Sequence, residues 1–320
     1  MASSGWFVER LDPELVPFME TKPTVDLSDI AAARAGYNER MREAALASTP
    51  RESVTTTQVD IARTDGEPDV SVRIHQPVGA TSATPALLWI HGGGHVMGVA
   101  VQDDWMLQDL VDRLGCVAVA VEWRYAPENP YPASMEDCWT ALNWMASNAN
   151  DLGIDPTRIV VGGASSGGGV AAGLTLLNRD RGGPSVAAQI LDYPMLDDRE
   201  VNHSSRVFTD ERAWNAESNR LGWDAYLGDI DRSEVPVYAA PARATDLEGV
   251  PPTWIGALEL DPLVDDAVAF AQTLMKSGVS TELHVFPGAI HAIDAGLPRS
   301  AIGRRYIAER AAAFDRWLSS

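Results

Sequence analysis

Ser165 has a glycine two residues away on each side, in Gly163-Ala164-Ser165-Ser166-Gly167, the G-x-S-x-G spacing of a nucleophilic serine. Such a serine sits on a strained strand-to-helix turn, where a Cβ at either flanking glycine would collide with the neighbouring strand or helix. The flanking sequence supplies that context. Arg158-Ile159-Val160-Val161 is an apolar, β-branched run that reads as a buried strand, and the Ala/Leu-rich stretch 170–177 reads as a helix. That helix would aim its N-terminal N–H groups at the turn. Other uses of a Gly-rich turn fit less well. No Lys-Ser/Thr pair follows, as a P-loop requires, and there is no G-x-G-x-x-G frame for a dinucleotide.

An attacking serine needs a base, the base needs an orienting acid, and a developing oxyanion needs donors. Six histidines are available. His75 and His284 fall inside predicted strands, His203 in a long irregular segment, and His91 and His95 in a glycine-rich turn. His291 lies just beyond the last predicted strand, at the carboxyl edge where such sheets bind ligands. Asp261 holds the equivalent place after the preceding strand, with Glu259 and Asp265 as alternative acids. His91-Gly92-Gly93-Gly94 directly follows the predicted strand 86–90, and its glycines leave backbone N–H groups facing a substrate. The expected oxyanion donors are the N–H groups of Gly92, Gly93 and Ser166.

These residues need a sheet to hold them. Residues 53–63 and 70–76 alternate apolar and polar side chains, as antiparallel strands with one wet face do. Further strands are predicted at 86–90, 116–122, 158–161, 187–191, 253–258 and 281–286. Helices are predicted at 101–114, 132–149, 170–180, 265–276 and 304–318. This alternation predicts an α/β fold: a mostly parallel sheet of about eight strands with helices on both faces and an antiparallel start. Before it, residues 11–18 read as a short capped helix and 28–47 as a longer one capped by Ser28. A Thr/Ser/Pro linker spans 78–85. Residues 196–247 break the rhythm, rich in charge and in aromatics such as Phe208, Trp214, Trp223, Tyr226 and Tyr238, with no obvious strand. Most of those aromatics are expected to pack this segment down. The expected division is an N-terminal part of a cap (1–50), a core (51–195), a cap insertion (196–247) and the rest of the core (248–320).

Composition bounds the partners. The 320 residues suffice for one large domain with a decoration, and 45% hydrophobic residues with a mean hydropathy of −0.11 suit a globular protein. No apolar run approaches a membrane span, and the first residues lack the pattern of a secretory signal. The two cysteines, Cys116 and Cys138, are expected to be buried thiols, in keeping with a reducing cytoplasm. A formal charge of −20 repels nucleic acid and anionic membrane.

Taken in order, the motifs resemble the hormone-sensitive lipase family of α/β-hydrolases, in its microbial carboxylesterase group. The resemblance covers about 86–291 and rests on His91–Gly94, the serine turn and two further segments. Trp123-Arg124-Tyr125-Ala126-Pro127-Glu128 is similar to the family's YRLAPE, and Asp261-Pro262-Leu263-Val264-Asp265 to its DPLRD. The order Ser165, Asp261, His291 is the family's order. The resemblance implies a serine carboxylesterase acting on short- to medium-chain esters, with no metal or organic cofactor. It implies that His95, Ile293 and Trp214 border the substrate, and that copies pair as a homodimer through the last strand and C-terminal helix. Ala164 stands where the family has Asp, and His291-Ala292-Ile293 replaces its HGF. Arg124, Glu128 and Asp137 are read as structural ion pairs. The same machinery would also serve an amidase, lactonase or carbamate hydrolase. A non-catalytic binding protein on this scaffold, as in plant gibberellin receptors, would lack the histidine that His291 supplies.

Overall fold

The computed structural model describes residues 4–319, apart from 23, 25, 65, 81 and 82, so part of the 78–85 linker lies outside the described residues. Eight strands form one sheet: β1 (Val54–Ile61), β2 (Val70–Pro77), β3 (Thr84–Ile90), β4 (Val117–Glu122), β5 (Ile154–Ala164), β6 (Ala188–Asp192), β7 (Thr253–Leu260) and β8 (Thr281–Ile290). Their order is β1-β2-β4-β3-β5-β6-β7-β8. β2 pairs antiparallel with β1 and β4, and every pair from β4 to β8 is parallel. The central strands are buried on both faces, which is why they read as unbroken apolar runs.

The helices are α1 (Ser4–Arg10), α2 (Val16–Thr21), α3 (Ile30–Ala47), α4 (Asp104–Leu114), α5 (Ala133–Ser147), α6 (Ala149–Leu152), α7 (Ser166–Arg181), α8 (Ser204–Val207), α9 (Ala216–Leu227), α10 (Val264–Lys276), α11 (Ile293–Gly296) and α12 (Ala301–Leu318). One face of the sheet packs on α5, α7 and α10 through Leu142, Leu174 and Phe270. The other packs on α4 and α12 through Leu107, Tyr306 and Phe314. The predicted elements all occur, with shifted ends. α3 is capped by Asp29, whose carboxylate accepts from Ala32 N–H at 3.0 Å, and not by Ser28.

Residues 196–247 contain α8 and α9 and no strand. Trp214, Trp223 and Tyr226 are buried there in a third cluster with Val96 and Met97 of the glycine loop, against which Ile30, Ala33 and Tyr37 of α3 also pack. The N-terminal segment is tied to the far end of the chain. Asp12 N–H donates to the Gly288 carbonyl at 3.0 Å, Ala301 N–H to Glu14 at 3.1 Å, and Arg10 pairs with Glu259. Both cysteines are buried free thiols.

Candidate active site

Parallel pairing in register brings the candidate residues to one edge. Ile90 at the end of β3 pairs with Gly163 of β5, and Leu260 of β7 with Ile290 of β8. The residues that follow these strands therefore share the carboxyl edge. Ser165 turns between β5 and α7 with φ 56° and ψ −122°, a conformation that costs a non-glycine residue about 1–3 kcal/mol. Neighbouring chain holds it there. Ser165 N–H donates to the Asp192 carbonyl at 2.8 Å, and its own carbonyl accepts from Met195 and Gly169 N–H at 2.9 and 3.1 Å. The flanking glycines are required by close approach: a Cβ on Gly163 would lie 2.4 Å from the Gly167 carbonyl oxygen.

His291 follows β8 directly. Its Nε2 lies 2.9 Å from Ser165 Oγ and its Nδ1 2.6 Å from Asp261 Oδ2. Asp261 is fully buried, and its other oxygen accepts from Leu263 N–H at 3.0 Å. With both oxygens of a buried carboxylate engaged, the Nδ1–H tautomer of His291 is favoured and Nε2 is left to accept from the serine. The alternative acids are committed elsewhere. Glu259 accepts from Gly288 N–H at 2.7 Å as well as pairing with Arg10, and Asp265 accepts from Ser204 N–H at 2.8 Å.

The glycine loop is braced on three sides. His91 Nδ1–H donates to the Gly92 carbonyl at 2.8 Å while the ring stacks on Trp123 at 4.9 Å, and burial holds its pKa down. Gly93 has φ 144°, and a Cβ there would sit 1.8 Å from the Met97 carbonyl oxygen. Arg34 of α3 donates to the Val96 and Ala126 carbonyls at 2.5 and 2.7 Å and grips Glu128 at 2.7 and 3.0 Å. Glu128 is thus a structural pair, as expected, with a partner from the N-terminal helix. Asp137 pairs with Arg124 at 2.8 Å and Arg63 at 3.2 Å. Among the described residues, Gly92 and Gly93 N–H have no backbone acceptor.

A cavity of about 750 Å³ opens above Ser165 and His291, within the range of small-molecule sites. Trp214 borders it, with its ring 5.9 Å from that of His291 and its edge against Gly94. His95 and Ile293 do not. The φ of 66° at His95 turns its ring into the 196–247 segment, where it stacks on Tyr226 at 3.8 Å and burial pushes its pKa down to about 3. Ile293 opens α11 with its side chain in the core beneath the sheet edge, so Ala292 and Asp294 border the cavity instead.

The sequence reading missed the charged floor of this cavity, formed by Gln102, Asp103, Tyr193, Asp294 and Arg310. Arg310 of α12 is buried and donates through one nitrogen to Asp192 and Asp294, each at 2.5 Å. Tyr193 O–H donates to the other oxygen of Asp294 at 2.8 Å. Burial, with Asp294 and Asp192 nearby, pushes the Asp103 carboxyl from 3.8 up to about 7, although it accepts from Trp89 Nε1–H. The folded chain therefore holds a proton there that the unfolded chain has lost, and this residue's contribution to stability falls as pH rises from about 4 to about 7. Asp103→Asn keeps an acceptor for Trp89 and removes the titration. It is expected to be more stable than wild type at about pH 8, by on the order of 2–4 kcal/mol, with the gap closing towards about pH 4. Thermal melts across that window check this.

The family profile described as alpha/beta hydrolase fold matches residues 87–295. Carboxylesterase NlhH of Mycobacterium tuberculosis is 36% identical over 296 residues, covering 88% of each chain. Esterase LipI of the same organism is 33% identical over 88% of this chain and 87% of its own. Among solved structures, a bacterial heroin esterase superposes with a TM-score of 0.94 at 40% identity, covering 98% of this chain and 99% of that one. With its sheet order, strand-end residues and these relatives, the chain belongs to the alpha/beta hydrolase fold family, in its hormone-sensitive-lipase-like branch.

Proposed function

We propose that this carboxylic ester hydrolase is a serine carboxylesterase that works through an acyl-enzyme on Ser165. The observation that carries the reading is the unbroken series of contacts from Ser165 Oγ through His291 to buried Asp261, at the base of a cavity large enough for a small ester. His291 Nε2 takes the hydroxyl proton as Oγ attacks the acyl carbonyl, while Asp261 orients the ring and stabilises its charged form. The N–H groups of Gly92, Gly93 and Ser166 receive the oxyanion, each donor contributing about 10²–10³ in turnover. His291 then protonates the departing alkoxide, and water activated by the same nitrogen releases the acid.

The N-terminal helices and residues 196–247 act as the cap, a reading supported by their shared cluster with the glycine loop. Trp214 borders the substrate. Free buried thiols favour a cytoplasmic setting, and among the described residues no helix is long and apolar enough to cross a membrane. The chain is proposed to act as a homodimer through β8 and α12.

The test is a series of p-nitrophenyl esters from acetate to decanoate, together with an organophosphonate whose adduct is located by mass. Turnover of the shorter esters, abolished by one adduct on Ser165, is expected. An adduct on Ser166, or turnover that survives labelling, would move the nucleophile. Amide or lactone turnover exceeding that of every ester would reassign the substrate class.

A further inference from the structure

Asp103 occupies the N-cap position of α4 yet makes no capping bond. An aspartate there ordinarily accepts from the first turn of its helix. Here one carboxylate oxygen accepts from Trp89 Nε1–H at 2.7 Å, and the other has no hydrogen-bond partner among the described residues. No Lys, Arg or His nitrogen among them lies within ion-pair distance of it. The nearby cation, Arg310, is already shared between Asp192 and Asp294. Three carboxyl groups thus cluster near one guanidinium, and two of them, Asp103 and Asp294, line with it the cavity that also holds Ser165 and His291.

Asp103 is half-buried, and its remaining surface opens into the cavity. Tyr37 of α3 lines the same cavity, where burial and, secondarily, the Asp103 charge hold its phenol proton on. Aromatic rings of Trp89, Trp105, Tyr193 and Trp214 line the same space. Lys22, Asp26 and Arg40 also border it, the last two exposed to solvent. An enclosed carboxylate lacking a counter-ion is costly, and aromatic faces around it attract alkylammonium groups.

We propose that Asp103, with Tyr37 and the surrounding aromatic walls, makes this cavity select esters that carry a cationic alkylammonium group. The inference rests on the esterase reading and deepens it by naming a substrate class. The ammonium group sits beside the free oxygen of Asp103 and neutralises the surplus negative charge. A chain of net charge −20 also raises the local concentration of cationic substrates over anionic ones.

The test compares shape-matched pairs at about pH 8, where Asp103 is ionised. Acetylcholine against 3,3-dimethylbutyl acetate places the charge in the alcohol. The p-nitrophenyl ester of 4-(trimethylammonio)butanoate against that of 5,5-dimethylhexanoate places it in the acyl group. At least one pair is expected to show kcat/KM about tenfold or more in favour of the cation, and that ratio should collapse towards one in Asp103→Asn. Tetramethylammonium chloride, at constant ionic strength, should compete with substrate in the unaltered protein, which needs no variant to fold. The inference is overturned if both neutral esters are preferred or matched, if the ratio survives in Asp103→Asn, or if tetramethylammonium does not compete. Neutral esters turned over without any cation preference would sink this inference alone, whereas no ester turnover would sink the esterase reading as well.

Discussion

Ser165→Ala is expected to lower kcat for p-nitrophenyl acetate by about 10⁶, close to 8 kcal/mol of transition-state stabilisation, with thermal stability preserved. Among the described residues, the Ser165 hydroxyl is the one side-chain group hydrogen-bonded to His291 Nε2, at 2.9 Å, so its loss removes the covalent route altogether. Residual turnover of about 10³–10⁴ over water should persist, because the backbone donors and the cavity remain. His291→Ala should cost about as much, and the double variant little more, since the two act as one unit. Asp261→Asn should cost about 10⁴, because an amide can present its N–H to Nδ1 and hold the imidazole in the wrong tautomer. Near-additive losses, or a Ser165→Ala variant within tenfold of wild type, would place the chemistry elsewhere. The strained φ of 56° is retained in alanine, so stability should move by less than about 1 kcal/mol.

Gly167→Ala is expected to destabilise the chain by about 3–5 kcal/mol, a fall in Tm of roughly 5–8 °C for a protein of this length. The added Cβ would stand 2.1 Å from the Ile90 carbonyl oxygen and 2.4 Å from that of His91. Both are backbone atoms at the end of β3, and neither can rotate away. Relief requires α7 to withdraw from β3, which carries the Ser166 N–H away from the Gly92 and Gly93 donors. Activity should therefore fall even below the melting range. Calorimetry together with kcat at 25 °C checks both parts, and an unchanged Tm would mean that α7 has slack the packing does not suggest.

The strand ends were legible because each functional residue follows a recognisable strand: Ser165 the buried β-branched run of β5, Asp261 the mostly buried apolar β7, and His291 the partly exposed edge strand β8. Ser165, Asp261 and His291 could be read one by one for that reason, and pairing in register then brings them together. Side-chain direction was not legible. His95 and Ile293 stand next to residues that border the cavity, but a positive φ turns the one away and core packing claims the other. Asp103 and Asp104 are adjacent acids at a helix start, and nothing local separates them. The fold sends Asp104 to Arg73, at 2.5 Å, and Asp103 to Trp89 and the cavity. Arg310 lies 145 residues beyond Ser165 on an amphipathic helix, where an arginine ordinarily reads as a solvated face. Its burial depends on Asp192 and Asp294, which only the tertiary structure brings near.

The anchoring of the N-terminal segment to Gly288, Glu259 and Ala301 bears on how the chain acquires its structure. Residues 10–14 leave the ribosome well before the partners they bind, which lie 249 or more residues further along the chain. Until β8 and α12 emerge, Phe7, Leu11 and Leu15 lack much of the surface that buries them, and the chain must carry that exposed apolar stretch through most of translation. Closing a loop of this span comes late and slows assembly, which opens an interval for self-association before α1 and α2 dock. Freshly made protein is therefore more prone to aggregate than the finished molecule, and the decisive event in its maturation is the docking of α1 and α2 on β8 and α12.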